Sequence, residues 1–442
     1  FQREFWLDEA FTFLVADLPV KQLLLAVLSD NNPPFYYLFM HALTRISRSA
    51  EILRLPSLLF NIGSAYFLYK IIVKLVDKKT AFYTVTFFSL SPLSIYLATT
   101  ARLHALGVFF IPCITWFFLR LVEKPTRMRK LIYLFISVIG LYTHYYIALI
   151  YVPLSIIIYV KYVKFPLKSW LLLLVILMVS FLPWVAIHVF NRPADCACPP
   201  THLALAATLV SPALGGIGEV TVRKYSELPL STVMFFGTGV IFNLFLIGYG
   251  LNKNSILNVL FLVPLVLISI AGVIGPFFSP KGFSIYSSTL LIVYMAMGIS
   301  RFKHANWLAL LNVMFLLVVN LVEMSNPFFS GTSIRHVVET VKLDPFRPTV
   351  HISAITYYPA RFYLPQSKQM LLTEGPFSEQ ITSKIRGAEI KESIPNEFWL
   401  VDTTNWVDPV ERKTQLEDIY QFYEPVSEVN ANQVSVKLMD RK

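Results

Sequence analysis

Between residues 55 and 324 the chain is a succession of long apolar stretches broken by short polar ones. The apolar stretches cover 55–73, 81–97, 105–121, 131–142, 145–159, 170–189, 231–250, 256–274, 283–299 and 305–324. Each is long enough, or nearly so, to cross a hydrocarbon core about 30 Å thick. The pattern therefore predicts about ten transmembrane helices. The fourth and fifth stretches almost merge at Thr143-His144, and read either as two short helices meeting at a polar pocket or as one helix. Residues 1–54 form a first loop. Its apolar piece, 34–46, is too short to span and has Arg45 at its end and Arg48 just after it, which predicts a helix lying along the membrane surface. From about Ser325 the pattern changes. Residues 349–354, 398–402 and 434–438 read as strands, and helices are signalled by Ser333 before IRHVVETVK, by 377–386 closed at Gly387, and by Asp408-Pro409 opening VERKTQLEDIYQFY. The expected architecture is mainly α: a polytopic helical bundle over 55–324 with a small α/β domain over 325–442.

Composition sharpens this. Hydrophobic types are 55% of the 442 residues and charged types 15%, against about 25% charged in soluble domains; the mean hydropathy is +0.58. Too few charges are present to coat a water-facing surface, which excludes a disordered chain and an ordinary soluble enzyme. The net charge of +11 is spread between apolar runs and forms no single basic patch, so no nucleic-acid partner is expected. Lys70, Lys74, Lys78 and Lys79, then Lys124, Arg127, Arg129 and Lys130, then Lys161, Lys164 and Lys168, then Lys253, Arg301 and Lys303 occupy alternate short loops. By the positive-inside rule those loops are cytoplasmic. The opposite loops, both chain ends and the α/β domain then face outward from the plasma membrane. The chain begins at Phe1 without an initiator Met or a first hydrophobic span, which reads as the loss of an upstream helix. Three cysteines (Cys113, Cys196 and Cys198) cannot form a disulfide framework for such a length. The Cys196-Ala197-Cys198 spacing is too tight for the usual zinc pair, and no glycine-rich phosphate loop is found, so no metal or nucleotide cofactor is supported by motif.

In so apolar a chain, ionisable residues at span ends mark candidate substrate paths. On the predicted topology the notable ones share the outer face: Asp8 and Glu9 in FWLDEAF, Asn32 and Tyr36 around Pro33-Pro34, Arg54 in RLPS, Arg102 and His104 in TTARLHAL, Tyr142 and His144 in LYTHYY, and Lys281 and Tyr286 in SPKGFSIY. Singly each has a plain reading. Asp8-Glu9 fits a helix N-terminus, Arg54 and Lys281 fit cations snorkelling to lipid phosphates, and the tyrosines fit an interfacial belt. Together, two carboxylates and several cations at one face suit a negatively charged lipid head group and a proton-accepting reaction.

At these motifs the sequence resembles the bacterial branch of the protein O-mannosyltransferases, the family 39 glycosyltransferases of the GT-C superfamily. The resemblance is carried in order by Trp6-Leu7-Asp8-Glu9-Ala10, Pro33-Pro34-Phe35-Tyr36-Tyr37, Arg54-Leu55-Pro56-Ser57, Ser91-Pro92 through Ala101-Arg102-Leu103-His104, and Tyr142-Thr143-His144-Tyr145. It departs from relatives at Asn32, where a His or Lys often precedes the prolines, at Asn31, where the aminoarabinose-transferring branch has a carboxylate, and at His104, where an aromatic hydroxyl is usual. The resemblance implies an inverting glycosyltransferase that moves a sugar from a polyprenyl-phosphate carrier to a hydroxyl acceptor at the outer membrane face. It implies Asp8 as general base with Glu9 beside it, and Arg102, then Arg54 and Lys281, on the lipid phosphate. Asn32, Tyr36, His104, Tyr142, His144 and Tyr286 would line the sugar or acceptor pocket. A transporter or flippase for a lipid-linked solute, or a non-catalytic scaffold, are the alternatives; transporters, however, tend to place their coupling residues near the midplane. If the predicted topology holds, single cysteines introduced beside Asp8, Arg102 and His144 will all react with a membrane-impermeant thiol reagent added from outside. Labelling of any one only from the cytoplasm would separate the motifs.

Overall fold

The computed structural model describes residues 4–28, 32–162, 164–191, 230–251, 255–274, 280–325, 334–372, 394–403, 409–431 and 434–442. The chain opens with three short helices, α1 (Leu7–Asp17), α2 (Val20–Leu28) and α3 (Phe35–Thr44), followed by the long α4 (Ala50–Leu75). The bundle continues through α5 (Lys78–Leu90), α6 (Pro92–Ala98), α7 (His104–Glu123), α8 (Arg127–Leu141), a 3₁₀ turn at Tyr145–Ile150, α9 (Tyr151–Lys161), α10 (Leu167–Asn191), α11 (Leu230–Gly250), α12 (Ser255–Ile274), α13 (Pro280–Ser300) and α14 (Ala305–Ser325). The apolar stretches read from the sequence fall on these helices, but 81–97 is divided between α5 and α6 and 145–159 between the 3₁₀ turn and α9. Residues 131–142 and 145–159 are two helical elements, separated by a turn at Tyr142–His144. Among the described residues, four helices (in α4, α7, α10 and α14) are long and apolar enough to cross a membrane, and α5 with α6 makes a fifth if the bent pair is one span.

Local chemistry sets the helix ends. Ser49 accepts the Ile52 N–H at the start of α4, Asp77 accepts that of Thr80 at the start of α5, and Thr126 that of Arg129 at the start of α8, each satisfying one of the donors a helix N-terminus leaves open. Between α5 and α6 the chain bends by 63° at Ser91-Pro92, because proline carries no N–H to continue the first helix but suits the first position of the second. The bend is braced by polar side chains, which act as interhelical glue where no water competes. Asn320 of α14 donates to the Leu90 carbonyl at 2.8 Å, and Asn61 of α4 donates to the Ser94 carbonyl and hydroxyl at 3.1 and 3.0 Å. As a result α6 leads the chain into the 99–103 segment at a fixed angle.

Deeper in the bundle, α11 and α13 cross backbone to backbone. A Cβ on Gly250 would lie 1.9 Å from the Tyr294 carbonyl oxygen, and one on Gly298 2.1 Å from that of Leu246. Near this crossing Asn312 of α14 donates to Asn243 of α11 at 2.6 Å.

The C-terminal unit contains α15 (Ile334–Lys342), β1 (Thr349–His351), α16 (Ala354–Tyr363), β2 (Gln369–Leu371), β3 (Glu397–Thr403), α17 (Pro409–Phe422), β4 (Tyr423–Ala431) and β5 (Val434–Arg441). Its sheet has the order β2-β1-β3-β5-β4, with β1 parallel to β2 and β3, and β5 antiparallel to β3 and β4. The three expected strands are present as β1, β3 and β5. Helix α16 was not expected from the sequence. Pro359 argues against it, but Ser353 caps it by accepting the Ile355 N–H at 3.3 Å. The expected helix at 377–386, the expected outer loop at 191–229 beyond its first residue, and Cys196 and Cys198 lie outside the described residues.

Replacing Gly298 with Leu should therefore separate α11 from α13 and destabilise the bundle by about 3 kcal/mol, the upper end for overpacking a close contact. Thermal unfolding of the detergent-solubilised protein reads this, and an unchanged midpoint would contradict the close crossing.

Candidate active site

The first turn of α1 carries both acidic residues, and a helix N-terminus favours negative charge there. The two side chains have different surroundings. Glu9 is 1% exposed and fully engaged: Arg54 donates to it through Nε (2.8 Å, to Oε1) and Nη2 (2.8 Å, to Oε2), the Ala101 N–H donates to Oε1 at 2.8 Å, and the Trp6 N–H to Oε2 at 3.1 Å. Asp8 is turned the other way. Its side chain is 25% exposed and its Oδ2 lies 3.7 Å from Nη2 of Arg102. The guanidinium of Arg102 is held in place by Nη1, which donates to the Asp8 carbonyl at 3.2 Å and to the Thr12 hydroxyl at 3.1 Å. Thr12 in turn donates to the same Asp8 carbonyl at 2.9 Å.

Asp8, Glu9, Arg54 and Arg102, distant along the chain, thus form one cluster. Each element contributes through its local geometry. α1 presents the acids, α4 brings Arg54 in its second turn, and the segment after the α5–α6 bend delivers the Ala101 N–H and Arg102 side by side. Arg54 has a different partner from the lipid phosphate expected of it. It is 0% exposed, it donates to the Glu4 carbonyl at 2.9 Å as well as to Glu9, and its guanidinium carbon lies 5.4 Å from the Phe5 ring centroid. A charge so placed survives burial only because opposite charge and hydrogen bonds surround it.

Tyr36 is buried on α3, with Arg102, Glu9 and Ser57 of the RLPS segment among its polar neighbours. Asn32 is half-buried just before the proline pair. The proline and YTHY motifs meet directly, since the Phe35 N–H donates to the Tyr142 carbonyl at 3.0 Å. The Tyr142 hydroxyl donates to the Ser180 carbonyl of α10 at 2.8 Å and its ring packs edge-on against Phe181, so this side chain fastens α10. His104, at the start of α7, and His144 are both buried with ring centroids 5.7 Å apart, and Nδ1 of His144 accepts the Tyr146 N–H at 3.2 Å. Lys281 and Tyr286 fall in the first turns of α13; their side chains are outside the described residues. Among the described residues no group of three or more His, Cys, Asp or Glu side chains could hold a metal ion.

Sequence reasoning missed several supports of this cluster. Thr12 lies one helical turn after Asp8, on the same face, which was a usable signal. Glu4 caps α15 by accepting the Ile334 and Arg335 N–H groups at 2.7 and 3.2 Å. Burial pushes the Glu4 carboxyl up, while those N–H groups and Arg335 pull it down. Tyr363 of α16 accepts the Phe5 N–H at 2.8 Å, and burial raises its phenol. Nothing local in the sequence points to either contact.

Residues 31–187 match the family model for dolichyl-phosphate-mannose-protein mannosyltransferases. No curated protein matches the sequence. In three dimensions the chain is similar to the crystal structure of ArnT from Cupriavidus metallidurans bound to undecaprenyl phosphate, with a TM-score of 0.61 and 11% identity over 99% of this chain and 94% of that one. The apo state of the same ArnT gives a TM-score of 0.59 with the same identity and coverage. The fold is that of the GT-C membrane glycosyltransferases, in agreement with the resemblance carried by the motifs, and the chain is an integral membrane protein. The matched segment runs from just before the proline pair to Ile187, in the last turns of α10.

The two acids should respond differently to substitution. Glu9→Ala, which strands the Arg54 charge, should cost about 3–5 kcal/mol and sharply lower the unfolding midpoint in detergent. Asp8→Asn should leave that midpoint nearly unchanged. Equal effects would mean that the two carboxylates share one environment.

Proposed function

We propose that this protein is an inverting glycosyltransferase that moves a sugar from a polyprenyl-phosphate carrier to a hydroxyl acceptor at the outer face of the plasma membrane, with Asp8 as general base. The single observation carrying the reading is the separation of roles between the adjacent acids. Glu9 has its oxygens occupied by four donors, whereas Asp8 remains partly exposed next to a partly exposed arginine. The family match and the GT-C fold support the same class of chemistry, and the undecaprenyl phosphate in the related ArnT structure supports a carrier of that type.

The chemistry follows from the charges. An acceptor hydroxyl is a poor nucleophile at neutral pH, so a carboxylate takes its proton as the oxygen attacks the anomeric carbon. The bond from that carbon to the phosphate oxygen breaks, and its electron pair leaves with the lipid phosphate. Attack from the face opposite the phosphate inverts the anomeric centre. Arg102 stabilises the growing negative charge on the leaving phosphate. In the free protein it lies against Asp8; a donor phosphate drawing the guanidinium toward itself relieves Asp8 of a neighbouring cation and makes it a better base. Arg54 acts behind the site, holding Glu9 and through it α1 and the 101–102 segment. Asn32, Tyr36, His104, His144 and, from its motif, Tyr286 contribute to the sugar or acceptor pocket, Tyr142 seats the proline motif, and Lys281 is assigned to the donor phosphate from its motif. The apolar helix faces would hold the polyprenyl tail.

The test is incubation of the purified protein with a panel of polyprenyl-phosphate sugars and candidate hydroxyl acceptors, followed by mass analysis. Asp8→Asn should lower transfer by about 10²–10⁴-fold and Arg102→Ala by about 10²–10³-fold, both with unchanged folding. Full transfer by Asp8→Asn would remove the base assignment. Solute movement with no glycosylated product would favour a transporter.

A further inference from the structure

The C-terminal unit reaches the buried ion pair of the candidate site through a peptide group. The peptide joining Glu4 to Phe5 offers two hydrogen-bonding ends, the Glu4 carbonyl and the Phe5 N–H. Its carbonyl oxygen accepts from Nη2 of Arg54 at 2.9 Å, and its N–H donates to the hydroxyl of Tyr363 at 2.8 Å. A peptide unit is a rigid plane, so fixing the N–H fixes the direction of the carbonyl. The next N–H along the chain, that of Trp6, donates to Glu9. This short segment therefore aims at both members of the buried pair, and a residue 358 positions away in sequence holds one end of it.

The surroundings restrict the segment to this role. Phe5 stacks on Phe362 with ring centroids 4.3 Å apart, Phe13 meets Phe362 edge-on at 4.8 Å, and Phe11 meets Tyr358 edge-on at 5.7 Å. Helix α16 is thus packed against α1 and against Phe5, just before it. On the far side of the same residue, the Glu4 carboxylate caps α15. The C-terminal unit grips the segment from two helices.

We propose that Tyr363 is a positioning residue for the candidate site: by fixing the Glu4–Phe5 peptide plane it orients Arg54, and through the Arg54–Glu9 pair it sets the Ala101 N–H and hence the neighbouring Arg102. The proposal rests on the site reading above and assigns the C-terminal unit a part in the reaction without placing any of its groups on the substrate. Hydrogen bonds in series in a low-dielectric interior polarise one another, so loss of the first is felt at the last.

The experiment compares the full-length protein with its Tyr363→Phe and Asp8→Asn variants, using amide hydrogen exchange and the transfer assay in parallel. Tyr363→Phe removes one oxygen and keeps the ring packing. Exchange should rise at Phe5 and also at Ala101, which makes no hydrogen bond to the C-terminal unit, while the unfolding midpoint stays close to wild type. Turnover should fall about five- to tenfold, the size expected for one hydrogen bond, with KM for the donor unchanged. A rise confined to Phe5, or turnover equal to wild type, overturns the relay. If Tyr363→Phe fails to fold, Glu4→Gln takes its place: weakening the cap on α15 should again raise exchange at Ala101, and an unchanged Ala101 overturns the proposal. The Asp8→Asn arm separates this from the underlying reading, because an active Asp8→Asn removes the base assignment whatever the exchange data show at Ala101.

Discussion

The buried ion pair between Glu9 and Arg54 is the constraint on which the rest of the site depends. Neither charge has access to water, and an unpaired charge in such a place would cost several kcal/mol. Together they are stable because each is also hydrogen-bonded by backbone: Glu9 by the Trp6 and Ala101 N–H groups, Arg54 by the Glu4 carbonyl. Four segments, 4–6, α1, α4 and 99–103, are thereby held at one point. A buried pair contributes little net stability compared with apolar packing, but it tolerates few arrangements, and in this molecule that selectivity fixes where Asp8 and Arg102 stand. What remains partly exposed once the pair is satisfied is Asp8 with Arg102.

Around that point the membrane fold supplies stiffness by means suited to a medium without water. The proline-induced bend between α5 and α6 is locked by Asn61 and Asn320, so the segment carrying Arg102 enters at a set angle. The glycine crossing of α11 and α13 lets two backbones meet where side chains would separate them. The C-terminal unit, far away in sequence, closes the arrangement by packing α16 on α1. A carboxylate in the first turn of a three-turn helix would otherwise have little to hold it.

Much of the fold was legible because partition between water and hydrocarbon is decided locally. The apolar stretches fall on helices, two of them divided by a bend or a 3₁₀ turn, and β1, β3 and β5 fall on the stretches that alternate or cluster β-branched and aromatic residues. Helix α16 was not legible, since Pro359 argued against it and its reason for existing is the packing of Tyr358 and Phe362 on α1. The site was half legible. The order of the motifs identified Asp8, Glu9, Arg54 and Arg102 as a group, and Asp8 and Arg102 do come within 3.7 Å. Their division of labour could not be read. Adjacent acids look equivalent in a sequence, and nothing near Arg54 says that it faces a carboxylate rather than a lipid phosphate. Tyr142, grouped with the pocket by its motif, has its hydroxyl on Ser180 instead.

The sequence by itself determined that this chain lives in a bilayer, where its helices run, which superfamily it resembles and which polar residues are out of place in so apolar a setting. Those properties follow from composition and spacing over a few turns of chain. Tertiary structure alone decided that Glu9 is enclosed while Asp8 is partly exposed, that Arg54 faces Glu9, and that a tyrosine far along the chain holds the Glu4–Phe5 peptide in front of that pair. Such outcomes depend on which distant groups meet, and a hydrogen bond or an ion pair has no signature until both partners are in place.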